Sequence, residues 1–139
     1  MFRTRRRSMR QRRAGATMVE MALTLPIFLL MGVTILEFGR GFMVQQMVTN
    51  ASREGARHAI LPHTTQQEVT AKVRDYLETG SISPQVVQVT VEPSNLHHAK
   101  TGDQVSVQVR VQFRDVTWMP APWFLGNASL TSQTVMRHE

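Results

Sequence analysis

Arg12 to Leu36 reads RRAGATMVEMALTLPIFLLMGVTIL. Two arginines lead through an alanine to a glycine, and an apolar run begins at once with one carboxylate, Glu20, in its opening turns. Ala16 to Leu36 is 21 residues with that single charge. A helix of this length is about 30 Å long, the thickness of a bilayer's hydrocarbon core. The run therefore predicts a membrane-crossing helix. Its uncharged part, Met21 to Leu36, is 16 residues, which leaves a secretory signal peptide as a competitor. A signal peptide closes on a small-x-small cleavage site, whereas Glu37, Phe38, Gly39 and Arg40 stand at that place here. Pro26 removes one backbone donor and is expected to bend the helix.

The charge is as uneven as the hydropathy. The chain has 139 residues, enough for one domain or a small domain with an appendage, and a formal charge of +6. Seven of its sixteen basic residues are Arg3, Arg5, Arg6, Arg7, Arg10, Arg12 and Arg13, with no acid among them. Beyond Gly15, nine basic residues face ten acidic ones. The basicity is thus a leader in front of the apolar run, the arrangement that keeps an N-terminus in the cytoplasm. A disordered arm that grips nucleic acid is the other use of such a cluster, and deleting it would then abolish binding without disturbing insertion. The topogenic reading is preferred because the apolar run follows within three residues, so no nucleic-acid partner is expected. There is no cysteine, and disulfides and thiolate metal sites are out of the question.

Past the apolar run the helical period continues. Phe42, Met43, Met47, Val48, Ala51, Gly55 and Ala59 recur at threes and fours, with Gln45, Gln46, Asn50, Arg53, Glu54 and Arg57 on most of the remaining surface. One helix from about Thr17 to Ile60 is expected, apolar all round and then amphipathic, stopped by Pro62. Thr65 and Glu68 form a capping box for a short helix whose face is Val69, Val73, Tyr76 and Leu77 and whose terminator is Gly80. The period then changes to two. Val87, Val89 and Val91 alternate with polar residues in Gln85 to Glu92, and Val105, Val107, Val109, Val111 and Phe113 do so in Gln104 to Arg114. Ala128 to His138 is a weaker strand with Leu130 and Met136 on one side. The sum is an α+β fold: a long N-terminal helix packed on a small antiparallel meander of about three strands, with one short extra helix. The expected divisions are a basic leader over 1–15, a transmembrane segment over 16–38, an extension of the helix over 39–62 and an outer α+β head over 63–139.

Glu20 needs a reason to lie beside hydrocarbon, where an unpaired charge costs at least about 2.5 kcal/mol at mid-span. A helix beginning near Ala16 puts it in the first turns, where free N–H groups favour a negative charge. A cut between Gly15 and Ala16 would add a terminal ammonium, a stronger partner. Snorkelling toward the headgroups, near Arg12 or Arg13, is the plainer account.

A basic leader ending in Gly15, a cut before the apolar run and a glutamate five residues past it look like the processing site of type IV pilins and pseudopilins. The longer pattern is Val19-Glu20-Met21-Ala22-Leu23, Pro26, Glu37-Phe38-Gly39-Arg40 and Asn50-Ala51-Ser52-Arg53-Glu54-Gly55-Ala56-Arg57. It resembles the TadE-like pseudopilins of the Tad (tight adherence, or Flp) type IV pilus system, strongly over about Arg13 to Ile60 and only in general plan beyond. The resemblance implies a pilin-like fold and a structural minor pilin acting in adherence or secretion. It also implies cleavage after Gly15 by a membrane-embedded prepilin peptidase. The mature subunit would wait in the bacterial inner membrane, N-terminus cytoplasmic and head periplasmic or extracellular. Its partners would be other pilin subunits, the Tad inner-membrane assembly platform and the lipid bilayer. Glu20 would pair with the terminal ammonium of its own or a neighbouring subunit and set axial register.

Other candidate sites have two readings each. Glu37 and Arg40 share a helix face and are either an interfacial ion pair or a contact to the next subunit at the outer boundary of the span. Arg53, Glu54 and Arg57 are a solvated face or a surface for a partner's acids. Trp118, Trp123 and Phe124, in a proline-broken loop, either close the end of a small core or dip into an interface. His97 and His98 are adjacent, and without cysteine or a close carboxylate they lack the ligands of a metal site. Ser81 and Ser83 lie in a turn with no His and Asp pattern, and there is no phosphate loop. Neither catalysis nor a cofactor is expected. An unprocessed single-pass anchor whose outer domain binds another envelope protein remains the competing function.

Overall fold

The structure, a computed structural model, describes residues 5–94, 96, 102–117 and 128–138. The element order is α1 (Arg5–Ala59), α2 (Gln66–Thr79), β1 (Val87–Glu92), β2 (Gln104–Gln112) and β3 (Ser129–Arg137). The strands form one antiparallel sheet in the order β1-β2-β3. This is the α+β arrangement expected, a long helix, a short helix and a three-stranded meander. The chain divides after Phe38 into two compact units, the second being Gly39–Glu139.

Helix α1 begins earlier than the sequence suggested, at Arg5 rather than near Thr17. Met9, Arg10, Gln11, Arg12, Arg13 and Ala14 are good helix formers, and a single glycine costs a helix only about 1 kcal/mol. Glu20 therefore lies in the body of the helix in the intact chain and not in its first turn. The helix also runs through Pro26.

The amphipathic stripe follows the expected one at Val48, Ala51, Gly55 and Ala59 and departs from it at its start. Its buried positions are Val44, Val48, Ala51, Ser52, Gly55, Ala56 and Ala59, whereas Phe42 and Met43 are 71% and 56% exposed. Against this stripe lie Val69, Val73 and Leu77 of α2 and the alternating valines of β1 and β2, all in one core. Tyr76, expected on that face of α2, stands at its edge and is exposed. The capping box of α2 is present as read: Glu68 N–H donates to Thr65 Oγ1 and Thr65 N–H to Glu68 Oε2. Gly80 caps the other end, but at φ −88°; the left-handed residue is Ser81 at φ 62°. Short 3₁₀ turns at Pro84–Val86 and Phe113–Asp115 trim β1 and β2 by two residues each relative to expectation.

Gly55 is where helix, helix and sheet meet. A Cβ there would lie 2.6 Å from Val73 Cγ2 and 3.1 Å from Val107 Cγ1, so only glycine lets α1 approach both this closely. The strand partner of Val107 is Thr134, and that of Val109 is Ser132, so these two hydroxyl residues fill the middle of the inner face of β3 between Leu130 and Met136. The hydroxyl of Ser52, fully buried on α1, lies 3.0 Å from Ser132 Oγ, 2.8 Å from Thr134 Oγ1 and 2.9 Å from the Thr49 carbonyl. Buried hydroxyls are tolerated when paired, and here Ser52 pairs with both Ser132 and Thr134. The weakness of β3 as an apolar strand is thus matched by a serine in the stripe that covers it.

The same contacts fix the direction of α1 on the sheet. Gly41 lies beside Phe113, Ser52 beside Ser132 and Thr134, and Gly55 beside Val107. Within the head α1 therefore runs antiparallel to β2 and parallel to β1 and β3. Gln45 Nε2 donates to the Thr131 carbonyl at 3.2 Å, which holds the N-terminal part of β3 to the helix.

Candidate functional site

The sequence-derived site residues fall along α1. From Gly15 to Leu36 no residue is buried, and Met18, Leu23 and Leu30 are among many apolar side chains more than half exposed. This is the one helix among the described residues that is long and apolar enough to cross a membrane. Its two interior threonines bring no unmet donor: Thr24 Oγ1–H donates to the Glu20 carbonyl at 2.7 Å and Thr34 Oγ1–H to the Leu30 carbonyl at 2.8 Å. Gly15 and Ala16 lie in this exposed helix, with nothing within 4 Å of where a Gly15 Cβ would be. Glu20 is likewise exposed. Of the leader arginines, Arg5, Arg6, Arg7, Arg10, Arg12 and Arg13 are in α1, and Arg3 is outside the described residues.

At the end of the apolar run the two boundary residues differ. Glu37 is buried, 8% exposed. Arg40 is half-buried, and its Nε donates to the Val116 carbonyl, which ties the helix to the turn after β2. Gly41 follows, with Phe113 Cε2 3.0 Å from the place of its Cβ. The exit of α1 from the head is therefore anchored on the Phe113–Val116 turn. Farther along, Arg53 and Arg57 are exposed and Glu54 is half-buried. Trp118, Trp123, Phe124, His97 and His98 lie outside the described residues. Among the described residues no group of three or more His, Cys, Asp or Glu side chains is placed to hold a metal ion.

Ser52, Gln45 and Gly55 do positioning work that sequence reading did not assign. Ser52 was legible only as part of a motif, and Gly55 only as one more small residue in a stripe. A serine three residues before a glycine on the apolar face was the available signal: both are too small for a helix meant to fill space.

A long exposed apolar helix and a small α+β head fit the class of single-pass membrane-anchored proteins. Residues 15–57 match the model of a protein family described as TadE-like protein. Over that segment the chain is similar to that family, in line with the resemblance in its sequence. The match starts at Gly15 and stops two residues short of the end of α1. No curated protein and no solved structure matches the chain.

Proposed function

We propose that this protein is a structural minor pilin of a Tad-type pilus, made as a precursor and cut after Gly15. The observation that carries the reading is the TadE-like match over residues 15–57, whose first residue is the proposed scissile glycine. The exposed apolar helix, which needs lipid or neighbouring helices around it, supports it.

The continuity of α1 through Gly15 gives the cut a physical consequence. In the intact helix the amides of Ala16 to Val19 have carbonyl acceptors one turn back, in Arg12 to Gly15. Cutting after Gly15 removes those acceptors, leaves the first-turn N–H groups unmet and turns the Ala16 nitrogen into an ammonium. Glu20 is four residues on and on the same helix face. Proteolysis thus converts a mid-helix carboxylate into a first-turn carboxylate beside a cation, the position in which a negative charge is favoured. The peptidase must open the helix locally, and Gly15 makes that the easiest place in the segment, by about 1 kcal/mol relative to alanine. In the assembled state the carboxylate meets the ammonium of its own or a neighbouring chain, and misregistered neighbours leave a charge unpaired.

Mass spectrometry of the protein from its native host tests the cut. The expected mature chain begins at Ala16; a chain beginning at Met1 would favour the unprocessed anchor. Replacing Glu20 by glutamine is expected to leave membrane insertion and cleavage intact and to reduce incorporation into pili or the assembly complex. Unchanged incorporation would remove the register role.

A further inference from the structure

Both outer strands of the sheet have open edges among the described residues. The Phe113 N–H bonds to the Ala128 carbonyl, and pairing alternates from there along both ladders. The alternation turns the N–H and C=O groups of Gln133, Val135 and Arg137 outward from β3, and those of Val87, Val89 and Val91 outward from β1. Gln45 occupies the Thr131 carbonyl, so the open part of the β3 edge is the stretch 133–137. Such an edge is ordinarily shielded by charge or by a bulge. Here its centre is Val135, an apolar side chain 53% exposed on the outer face of the sheet.

The direction of α1 selects what can pair with this edge. Antiparallel pairing of β3 with the β3 of another copy places a two-fold axis across the sheet. Since the head part of α1 lies along the strands, that axis would make the two chains leave their heads at residue 39 in opposite directions, which disfavours it for chains anchored from the same side of one membrane. The edges of β3 and β1 are different: these strands run parallel within one head, so a copy moved sideways brings its β1 beside β3 with both helices pointing the same way. This choice rests on the anchored reading given above.

The residues match in that arrangement. Setting Arg137 beside Glu92 of the second copy puts Val135 beside Thr90 and Gln133 beside Gln88, all exposed and on the outer face. The pairs are a cation with an anion, two β-branched residues and two amides, each a favourable cross-strand combination. On the inner face Met136 falls beside Val91 and Thr134 beside Val89; Met136 and Val89 are only partly buried in the single chain. The outward amides have the parity a parallel ladder needs: the 133, 135 and 137 N–H groups face the carbonyls of 87, 89 and 91, and the 89 and 91 N–H groups face the carbonyls of 133 and 135, the ladder ending there because Pro93 has no N–H to give. We propose that the β3 edge, from Gln133 to Arg137, takes the β1 edge, Gln88 to Glu92, of a second copy of this chain in parallel, giving a side-by-side row of heads. The contact is heterologous, so it extends into a row or closes into a ring.

The chain has no cysteine, so introduced thiols report without background. Full-length chains carrying Val135→Cys and Thr90→Cys, tagged to differ in size, are coexpressed, and their membranes are isolated and oxidised. Neighbouring strands place such residues about 5 Å apart, within reach of a disulfide. A mixed dimer is expected from the pair, with none above background from either variant alone. Adding Arg137→Glu to the first chain should lower the yield, and adding Glu92→Arg to the second should restore it. A dimer of Val135→Cys with itself, or no mixed dimer from membrane-bound chain, would overturn the pairing while leaving the anchored reading intact. Recovery of the chain in the soluble fraction would overturn the anchor and, with it, the parallel choice.

Discussion

Gly55 and Ser52 show how much of the docking of α1 depends on single side chains that look unremarkable in the sequence. Adding a methyl group at Gly55 forces it against Val73 Cγ2, at 2.6 Å, and Val107 Cγ1, at 3.1 Å. Overpacking of this kind costs about 1–3 kcal/mol, and the better helix propensity of alanine returns about 1 kcal/mol. Gly55→Ala is therefore expected to lower the melting temperature of the head by several degrees, at about 4–8 °C per kcal/mol. Combining it with Val73→Ala should cost less than the sum of the two single changes, because the truncated valine vacates the space. Additive melting shifts would show that the close approach is not what Gly55 supplies. Glu20 was legible as a residue, since a lone acid in an apolar run is conspicuous. Its surroundings were not: the absence of a helix stop in the leader decides that α1 runs past it, and that absence carries little weight until the backbone is seen.

The periods of the elements were legible and their phases less so. Alternating valines identified β1 and β2 because each strand needs only one buried face, and a period of two can be phased by inspection. Helix α1 was harder. Its apolar residues surround the axis up to Met43, so spacing alone admits more than one stripe, and Phe42 and Met43 were placed inward when they face outward. The structure settles the phase through Val44 and Val48, 2% and 0% exposed. The two classes of position should separate in a melting experiment. Val48→Ala removes buried methyl groups and is expected to cost about 1–3 kcal/mol. Phe42→Ser, at a side chain 71% exposed in the single chain, should leave the melting temperature of the head unchanged while reducing affinity for membrane or neighbouring subunits. Equal destabilisation by both would place Phe42 in the core. Strand β3 was the weakest reading because half its inner face is hydroxyl, and what makes that face acceptable is Ser52, 80 residues away from Ser132 in the chain.

For the molecule as a whole, the division after Phe38 separates a unit with exposed apolar surface from one with its own core. A fragment over residues 39–139 keeps Arg40, Gly41 and every buried residue of the core, and is expected to be soluble without detergent and to unfold cooperatively. Circular dichroism through a thermal melt would check this; a broad, non-cooperative loss of signal would mean that the head depends on the apolar helix for its fold. Composition and periodicity were enough to give the apolar helix, the α+β class and the cap of α2, because each depends on neighbours within a few residues. The start of the buried stripe on α1, the contact at Gly55, the hydroxyl cluster under β3 and the open edges at Val135 and Val89 depend on which faces meet across the fold. Hydrophobic patterning says only that a surface must be covered, and close packing decides what covers it.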